Sequence, residues 1–517
     1  MENLLKESGK FFKGLKLQTF CLLLTSTLLF ANHSIIFELI PIEKVVVDHV
    51  EEIENDHVDE FKLMPLAKVL VYEMEAVKLP NQFVAKCFLQ VGFYVGIFIG
   101  LCFGWIIFRF WRPKIILLTS VALNAIFIFG NGFVPYFWSF VIARILVGFT
   151  VAVGQIAIAL LFIDWSFSTN QPLTIHYQLS TRCLSLFCIG IMLYMNFSWR
   201  KIFFVHPCSL IAVVVLNLIF VNESPRWLRT KGKLDEFRNQ VLNFAKNLGK
   251  TTTNEHEILL EDENDPKKHA LMPSPPEILQ LIVCYTLNAL ASMILQGSSG
   301  FYLSWNIEII LLASMQLFGS IITTPFYSQI RIPIVIFTTC SIMLTILLIF
   351  LPHGIYYGTI LQVTKFNAIL NDHFMIFFIF NLCSPIKNDL RKISGRILRE
   401  WRSKLLLGLE TFATISRILA IFFVLQKDDS IQKNDRIPKL AICIACYGIV
   451  LLLILVGFTL CSRQPLLETN ENDKPLIEDP EKPTSPILPP SQPTNPNDND
   501  EDTVIVNEED DEVDIDI

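Results

Sequence analysis

The chain has 517 residues, 52% of them hydrophobic, with a mean hydropathy of +0.48 and a net charge of −7. Those figures exclude an ordinary soluble domain, and they call for no nucleic-acid partner. The twelve cysteines lie almost wholly inside apolar stretches and none falls in 41–83, so they read as small packing residues rather than a disulfide framework.

Roughly twelve apolar runs of about 20 residues, the length that crosses a hydrocarbon core, organise the sequence. They lie near 17–40, 84–108, 114–132, 137–163, 172–195, 202–221, 277–298, 302–325, 332–351, 358–384, 404–425 and 438–461. This predicts an all-α membrane protein of twelve transmembrane helices in two six-helix halves, with the lipid bilayer as its solvent. Lys6, Lys10, Lys13 and Lys16 precede the first run as they would a signal peptide. That run is too long for a signal core and no small-residue cleavage site follows it, so it reads as a retained span.

Charge sets the orientation. The 41–83 interval holds ten acids and four lysines, which suits an outside loop. Arg109, Arg112 and Lys114 between spans two and three are basic, as is the stretch from Lys387 to Lys404 between spans ten and eleven, which marks the cytoplasmic side. An even number of spans puts both termini in the cytosol. The chain then divides into a cytoplasmic N-terminus at 1–16, a first half at 17–221, a cytoplasmic linker at 222–276, a second half at 277–461 and a tail at 462–517.

Span two carries Gly92, Gly96, Gly100 and Gly104 at intervals of four, a smooth stripe that lets another backbone come close. Its two readings are static packing and a sliding contact between the halves, and the two-half layout favours the second. Span four carries Arg144 and Gln155 and ends at Asp164. A guanidinium two turns into a span either faces protein or water or snorkels to the surface.

In the linker, the proline of Asn222-Glu-Ser-Pro-Arg226 suits the first turn of a new helix. From Leu234 to Leu248, apolar residues recur with helical spacing and predict an amphipathic surface helix. Span ten holds Lys365 and Asp372, seven apart and so on one face, and the lysine is expected to snorkel. Span eleven holds Glu410, Thr414 and Arg417, again on one face, and ionisable groups this deep are functional candidates. The tail has seventeen acids against three bases and many prolines, a composition that cannot bury enough surface to fold.

These motifs resemble the major facilitator superfamily, and within it the organic cation/anion/carnitine transporter branch. Glu223-Ser-Pro-Arg-Trp-Leu228 with Lys231-Gly-Lys233 is similar to the ESPRWL…KGR signature after span six, the most specific match. Ala143-Arg-Ile-Leu-Val-Gly148, Asp164-Trp165 and Ser198-Trp-Arg200 resemble further family motifs. The loop after span two departs from the family pattern, with Phe108 where an aspartate is expected and Trp111 in place of the turn glycine, while Arg109 and Arg112 survive. The outside loop is also shorter than the disulfide-bonded cap of the family.

The resemblance implies the major facilitator fold and alternating access to a site near the midplane. It also implies a cytoplasmic charge network that latches one state. With the aspartate gone, that latch is either weak or remade from Glu223 and Arg226, beside Arg109, Arg112 and Asp164. Arg417 falls where anion-favouring members carry arginine, so the implied substrate is a small organic ion, with a lean to anions. Arg417, Glu410, Thr414, Lys365, Asp372, Arg144 and Gln155 are the candidate substrate contacts. The plasma membrane is the expected location. A transport-dead scaffold and a sugar-type facilitator are the alternatives. No metal, cofactor or enzymatic constellation is expected, since metal-ligand spacing, a phosphate-binding glycine loop and a nucleophile arrangement are all missing.

Overall fold

A computed structural model describes residues 15–37, 82–134, 136–165, 171–195, 199–247, 275–297, 305–326, 331–351, 355–382, 408–421 and 436–463. The expected outside loop up to position 81, the basic stretch at 387–404 and the tail beyond position 463 lie outside the described residues.

Six helices form the first half: α1 (Lys16–Phe37), α2 (Gln82–Phe110), α3 (Pro113–Asn131), α4 (Phe137–Asp164), α5 (Gln171–Tyr194) and α6 (Trp199–Phe220). Two short helices follow in the linker, α7 (Pro225–Thr230) and α8 (Leu234–Asn247). The second half holds α9 (Pro275–Gly297), α10 (Trp305–Thr323), α11 (Arg331–Phe350), α12 (Ile355–Leu382), α13 (408–421) and α14 (Arg436–Arg463). Their bounds track the apolar runs within a few residues, because the length that must be buried in hydrocarbon sets where each helix begins and ends.

Among the described residues, six helices are long and apolar enough to cross a membrane: α2, α3, α4, α6, α11 and α14. Another four carry shorter apolar stretches, in α1, α5, α9 and α10. The remaining two, α12 and α13, are where the ionisable residues gather. Large apolar side chains such as Phe103, Ile126, Ile211, Ile336 and Leu452 point outward, as helices facing lipid require.

Within the first half, α4 packs on α2 and α3, and α1 packs on α5. In the second half, α12 packs on α9, α10 and α11. Between the halves, α5 packs along α10 and also touches α12. The hydroxyls of Ser180 on α5 and Ser320 on α10 meet across that seam.

The glycine stripe of α2 lies elsewhere. A methyl carbon on Gly96 would sit 2.0 Å from the Ile145 carbonyl oxygen, and one on Gly148 would sit 2.1 Å from the Phe93 carbonyl oxygen. At Gly92 and Gly104 the nearest atoms are side chains, at 3.3 and 3.0 Å, so the tightest contact is in the middle of the stripe. The two helices therefore meet backbone to backbone inside one half. This corrects the expected sliding contact between halves: the stripe is the packing surface of α2 on α4.

Of two buried cations, Arg144 resolves the alternatives left by the sequence and Lys365 corrects the expectation. Arg144 does not reach outward; it is 1% exposed, with its guanidinium 5.3 Å from the Phe140 ring centre and 5.9 Å from that of Phe203. Lys365 is likewise buried, at 3% exposure, rather than snorkelling. In both cases protein surrounds the cation where lipid would otherwise have forced it to the surface.

Candidate solute site and linker-side charge network

The second half supplies most of the charge at the centre. Glu410 and Arg417 lie two turns apart on α13, which puts them on one helix face. Arg417 Nη1 donates to Glu410 Oε2 at 3.3 Å, and the Tyr285 hydroxyl of α9 donates to Glu410 Oε1 at 2.9 Å. Both carboxylate oxygens are thus engaged. Thr414 Oγ1 donates to the Glu410 carbonyl at 2.7 Å, so its hydroxyl serves its own helix.

Asp372 does not take the place of Glu410. It accepts from Ser292 Oγ at 2.6 Å and from Asn288 Nδ2, both on α9. The neighbouring Asn371 donates to Asn288 Oδ1 at 2.8 Å and accepts from Thr338 of α11 at 2.9 Å. This amide network fixes α12 between α9 and α11 and holds the Asp372 carboxylate in place.

The first half meets this cluster with Arg182 of α5 and Tyr94 of α2. Both lie within electrostatic reach of Arg417, and Arg182 is also within reach of Glu410, Tyr285 and Asp372. The Arg182 guanidinium rests over the Phe30 ring of α1, 4.8 Å from its centre. Its Nε is buried with no hydrogen-bond partner among the described residues. Two guanidiniums, one from each half, are therefore within electrostatic reach of each other, with Glu410 and Asp372 as the acids within reach of Arg182.

Gln155 is held within the first half. Its Oε1 accepts from Ser26 and from Gln178, each at 3.0 Å, and its Nε2 donates to the Ser26 carbonyl at 3.2 Å. Thr181 Oγ1 adds a bond to Ser26 Oγ at 2.8 Å, so α1, α4 and α5 are pinned one turn from Arg182. Arg144 lies between the Phe140 ring of α4 and the Phe203 ring of α6.

A second polar knot sits where α6 meets the linker. Ser224 caps α7, accepting from the Trp227 N–H at 3.0 Å, and Pro225 takes the first helical position as its sequence predicts. The same hydroxyl donates to Asp164 Oδ2 at 2.5 Å. Glu223 Oε1 accepts from the Ser224 and Lys114 backbone N–H groups at 2.9 and 3.1 Å, and Trp165 Nε1 donates to the Glu223 carbonyl at 3.2 Å. Gln18 Oε1 accepts from Asn222 Nδ2 at 2.9 Å. Beyond α7, Gly232 adopts φ +69, which lets the Lys233 N–H return to the Leu228 carbonyl at 2.9 Å and turns the chain into α8.

Arg112 ties this knot to α8. It forms a two-pronged pair with Glu236 at 3.1 and 3.2 Å and lies over the Trp227 ring at 5.4 Å. On the buried side of α8, Phe237, Val241 and Phe244 face inward, and Phe244 meets Trp165 edge to face at 5.5 Å. Burial pushes the Glu223 carboxyl above its usual range, against the pull of the two backbone N–H groups and of Arg112 and Lys114. Slight desolvation opposes it, but the bonds from Lys233 and Arg112 hold the Glu236 carboxyl below its usual range. All these partners belong to the first half and the linker. The side chains of Arg109 and Arg226 lie outside the described residues.

Sequence reasoning missed Arg182, Tyr94, Tyr285, Asn288 and Ser292. Arg182 was the legible one, being an ionisable residue in the middle of a predicted span. The tyrosines and small polar residues carry no such signal, because they occur throughout apolar helices.

The Major Facilitator Superfamily matches residues 88–461, and the chain belongs to it. Over 197 residues it is 27% identical to organic cation/carnitine transporter 4 of Arabidopsis thaliana, covering 35% of this chain and 37% of that protein. It is 28% identical over 162 residues to solute carrier family 22 member 15 of Xenopus tropicalis, covering 30% of this chain and 29% of the relative. The chain thus aligns with about a third of the length of these relatives. Among solved structures it resembles a partially occluded inward-open form of the xylose transporter XylE from E. coli, with a TM-score of 0.58 and 14% identity over 86% of this chain and 99% of that one. At that identity the likeness concerns the fold alone.

Proposed function

We propose that the protein carries a small organic anion across a membrane by alternating access, with the cluster around Arg182, Arg417 and Glu410 as its solute site. The observation that supports this most is the convergence of ionisable groups from both halves on one buried centre. Charge in the middle of a bundle is expensive and is kept where it meets a solute or an ion. A site shared between two halves is also where a bound solute gains or loses contacts as the halves rock, and only such differential contact couples binding to movement.

Two guanidiniums favour an anion, because each offers a planar fork of donors that fits a carboxylate. In this reading Arg417 contacts the solute, Glu410 and Tyr285 hold it ready, and Asp372, Lys365 and Gln155 shape the surroundings. Both termini and the linker face the cytosol, the 41–83 loop faces outward, and the plasma membrane is the location. The Arg112, Asp164 and Glu223 knot serves as the cytoplasmic brace of the first half, tying α1, α3 and α4 to the linker.

Uptake of labelled organic anions and cations into proteoliposomes, across a pH and voltage series, tests the reading. Saturable anion uptake is the expected result. Cation uptake without anion uptake would move the substrate class. A correctly folded protein that moves neither would favour the transport-dead alternative, which the departures at Phe108 and Trp111 keep in play.

A further inference from the structure

We infer that Arg182, rather than Arg417, is the first anchor for the carboxylate of the transported anion. The inference rests on the proposed anion reading and assigns the seat within it. Arg417 already has an acceptor, since Glu410 takes its Nη1 at 3.3 Å while the other Glu410 oxygen is held by Tyr285 at 2.9 Å. Nothing comparable serves Arg182. No described residue accepts a hydrogen bond from its guanidinium, and its Nε is enclosed without a partner.

The electrostatics point the same way. Arg182 lies within electrostatic reach of Arg417, a like charge, and each oxygen of the acids within its reach already accepts a hydrogen bond: Glu410 from Arg417 and Tyr285, Asp372 from Ser292 and Asn288. A guanidinium left in a low-dielectric centre beside another cation is unfavourable unless an anion joins it. A carboxylate at Arg182 would supply the missing acceptors and screen the two cations from one another.

The surroundings narrow the ligand class. Phe30 covers one face of the guanidinium at 4.8 Å, which strips water from that face and fixes the plane of the donor fork. Tyr94 comes from the same half and Tyr285 from the other, so a solute anchored at Arg182 lies among aromatic rings. That suits a monocarboxylate with a small aromatic or apolar body. A dianion is a poorer match, because the second guanidinium is already paired with Glu410.

Saturation kinetics in proteoliposomes can test this with benzoate, succinate and tetramethylammonium as probes, on wild type and on Arg182→Gln, Arg182→Lys and Arg417→Lys. A charge-assisted hydrogen bond is worth roughly 1.5–3 kcal/mol, so Arg182→Gln should raise KM for benzoate by about tenfold or more. Arg182→Lys, which keeps the charge but loses the fork, should fall between, and Arg417→Lys should change KM less than Arg182→Gln. Thermal unfolding of each variant separates a lost anchor from a lost fold, and if Arg182→Gln does not fold, the Arg182→Lys and Arg417→Lys comparison decides alone. Unchanged benzoate KM in a folded Arg182 variant overturns the inference and leaves the transport reading standing. A wild type that moves only tetramethylammonium, or none of the three, overturns both.

Discussion

The seam between α2 and α4 and the centre around Arg182 and Arg417 are built on opposite terms. At the seam two backbones touch, with a methyl carbon at Gly96 only 2.0 Å from a carbonyl oxygen, and no charge is involved. At the centre, side chains from α2, α5, α9, α12 and α13 interact through charge and hydrogen bonds. The seam lies inside one half, and the centre is shared by both. In the proposed carrier the halves move as rigid bodies around a site that changes between them, and the seam and the centre would serve those two roles.

Disturbing the seam should have the largest effect. Gly96→Ala and Gly148→Ala each place a carbon where backbone already stands. Overpacking of a well-filled contact costs about 1–3 kcal/mol and more when backbone must move, so these variants should aggregate or lose several degrees of thermal stability. Normal size-exclusion and unfolding profiles for both would show that α2 and α4 do not meet there.

Breaking the centre should cost function first. Arg417→Asp sets a second carboxylate beside Glu410 and should abolish uptake, with a fall in stability below the roughly 3–5 kcal/mol of a fully buried pair, because this one is partly exposed. Exchanging the two, Glu410→Arg with Arg417→Glu, should restore the unfolding temperature without restoring uptake. Recovery of uptake in the exchanged protein would mean that only the pair matters and that Arg417 has no positional role.

The linker knot should respond more mildly. Ser224→Ala removes a helix cap worth about 1 kcal/mol and also the Asp164 contact, so a modest loss of thermal stability is expected. The smallest change should come from Arg112 and Glu236, an exposed pair of the kind that contributes little. Its sign with pH is fixed: the Glu236 carboxyl sits below its ordinary range when folded, so its contribution is complete above that range and fades as pH falls through the lowered value. Glu223 works in the opposite direction, since burial raises its value and the folded form gains as pH falls through it. The acid stability of Glu236→Gln should therefore be flatter than that of wild type just below the ordinary carboxylate range, and that of Glu223→Gln flatter just above it.

What could be read from sequence follows the same division. The helices were legible because a run of apolar residues has to match the hydrocarbon thickness, and the knot was legible because Glu223 to Lys233 is one contiguous motif. The glycine stripe announced a close helix contact, but spacing alone does not say which helix receives it, and the partner turned out to be α4. Lys365 was expected to snorkel, and Arg144 was left open between snorkelling and facing protein, because sequence cannot tell a lipid-facing cation from one that neighbouring helices enclose. The centre was half legible: Glu410 and Arg417 share a helix face, so their spacing revealed them together. Arg182 was legible as an ionisable residue inside a span, but its surroundings had to wait for the fold, since Phe30, Tyr285 and Arg417 are brought to it from α1, α9 and α13.

The central claim, that two halves move against each other around a shared site, is most directly tested at the α5–α10 seam. Ser180 and Ser320 meet there, one from each half. With the native cysteines replaced, the double variant Ser180→Cys/Ser320→Cys should form a disulfide on oxidation. The account predicts that oxidation arrests anion uptake, that reduction restores it, and that either single variant is indifferent to both treatments. Full cross-linking with undiminished uptake would contradict it, because halves joined at that seam could not exchange the site between the two sides.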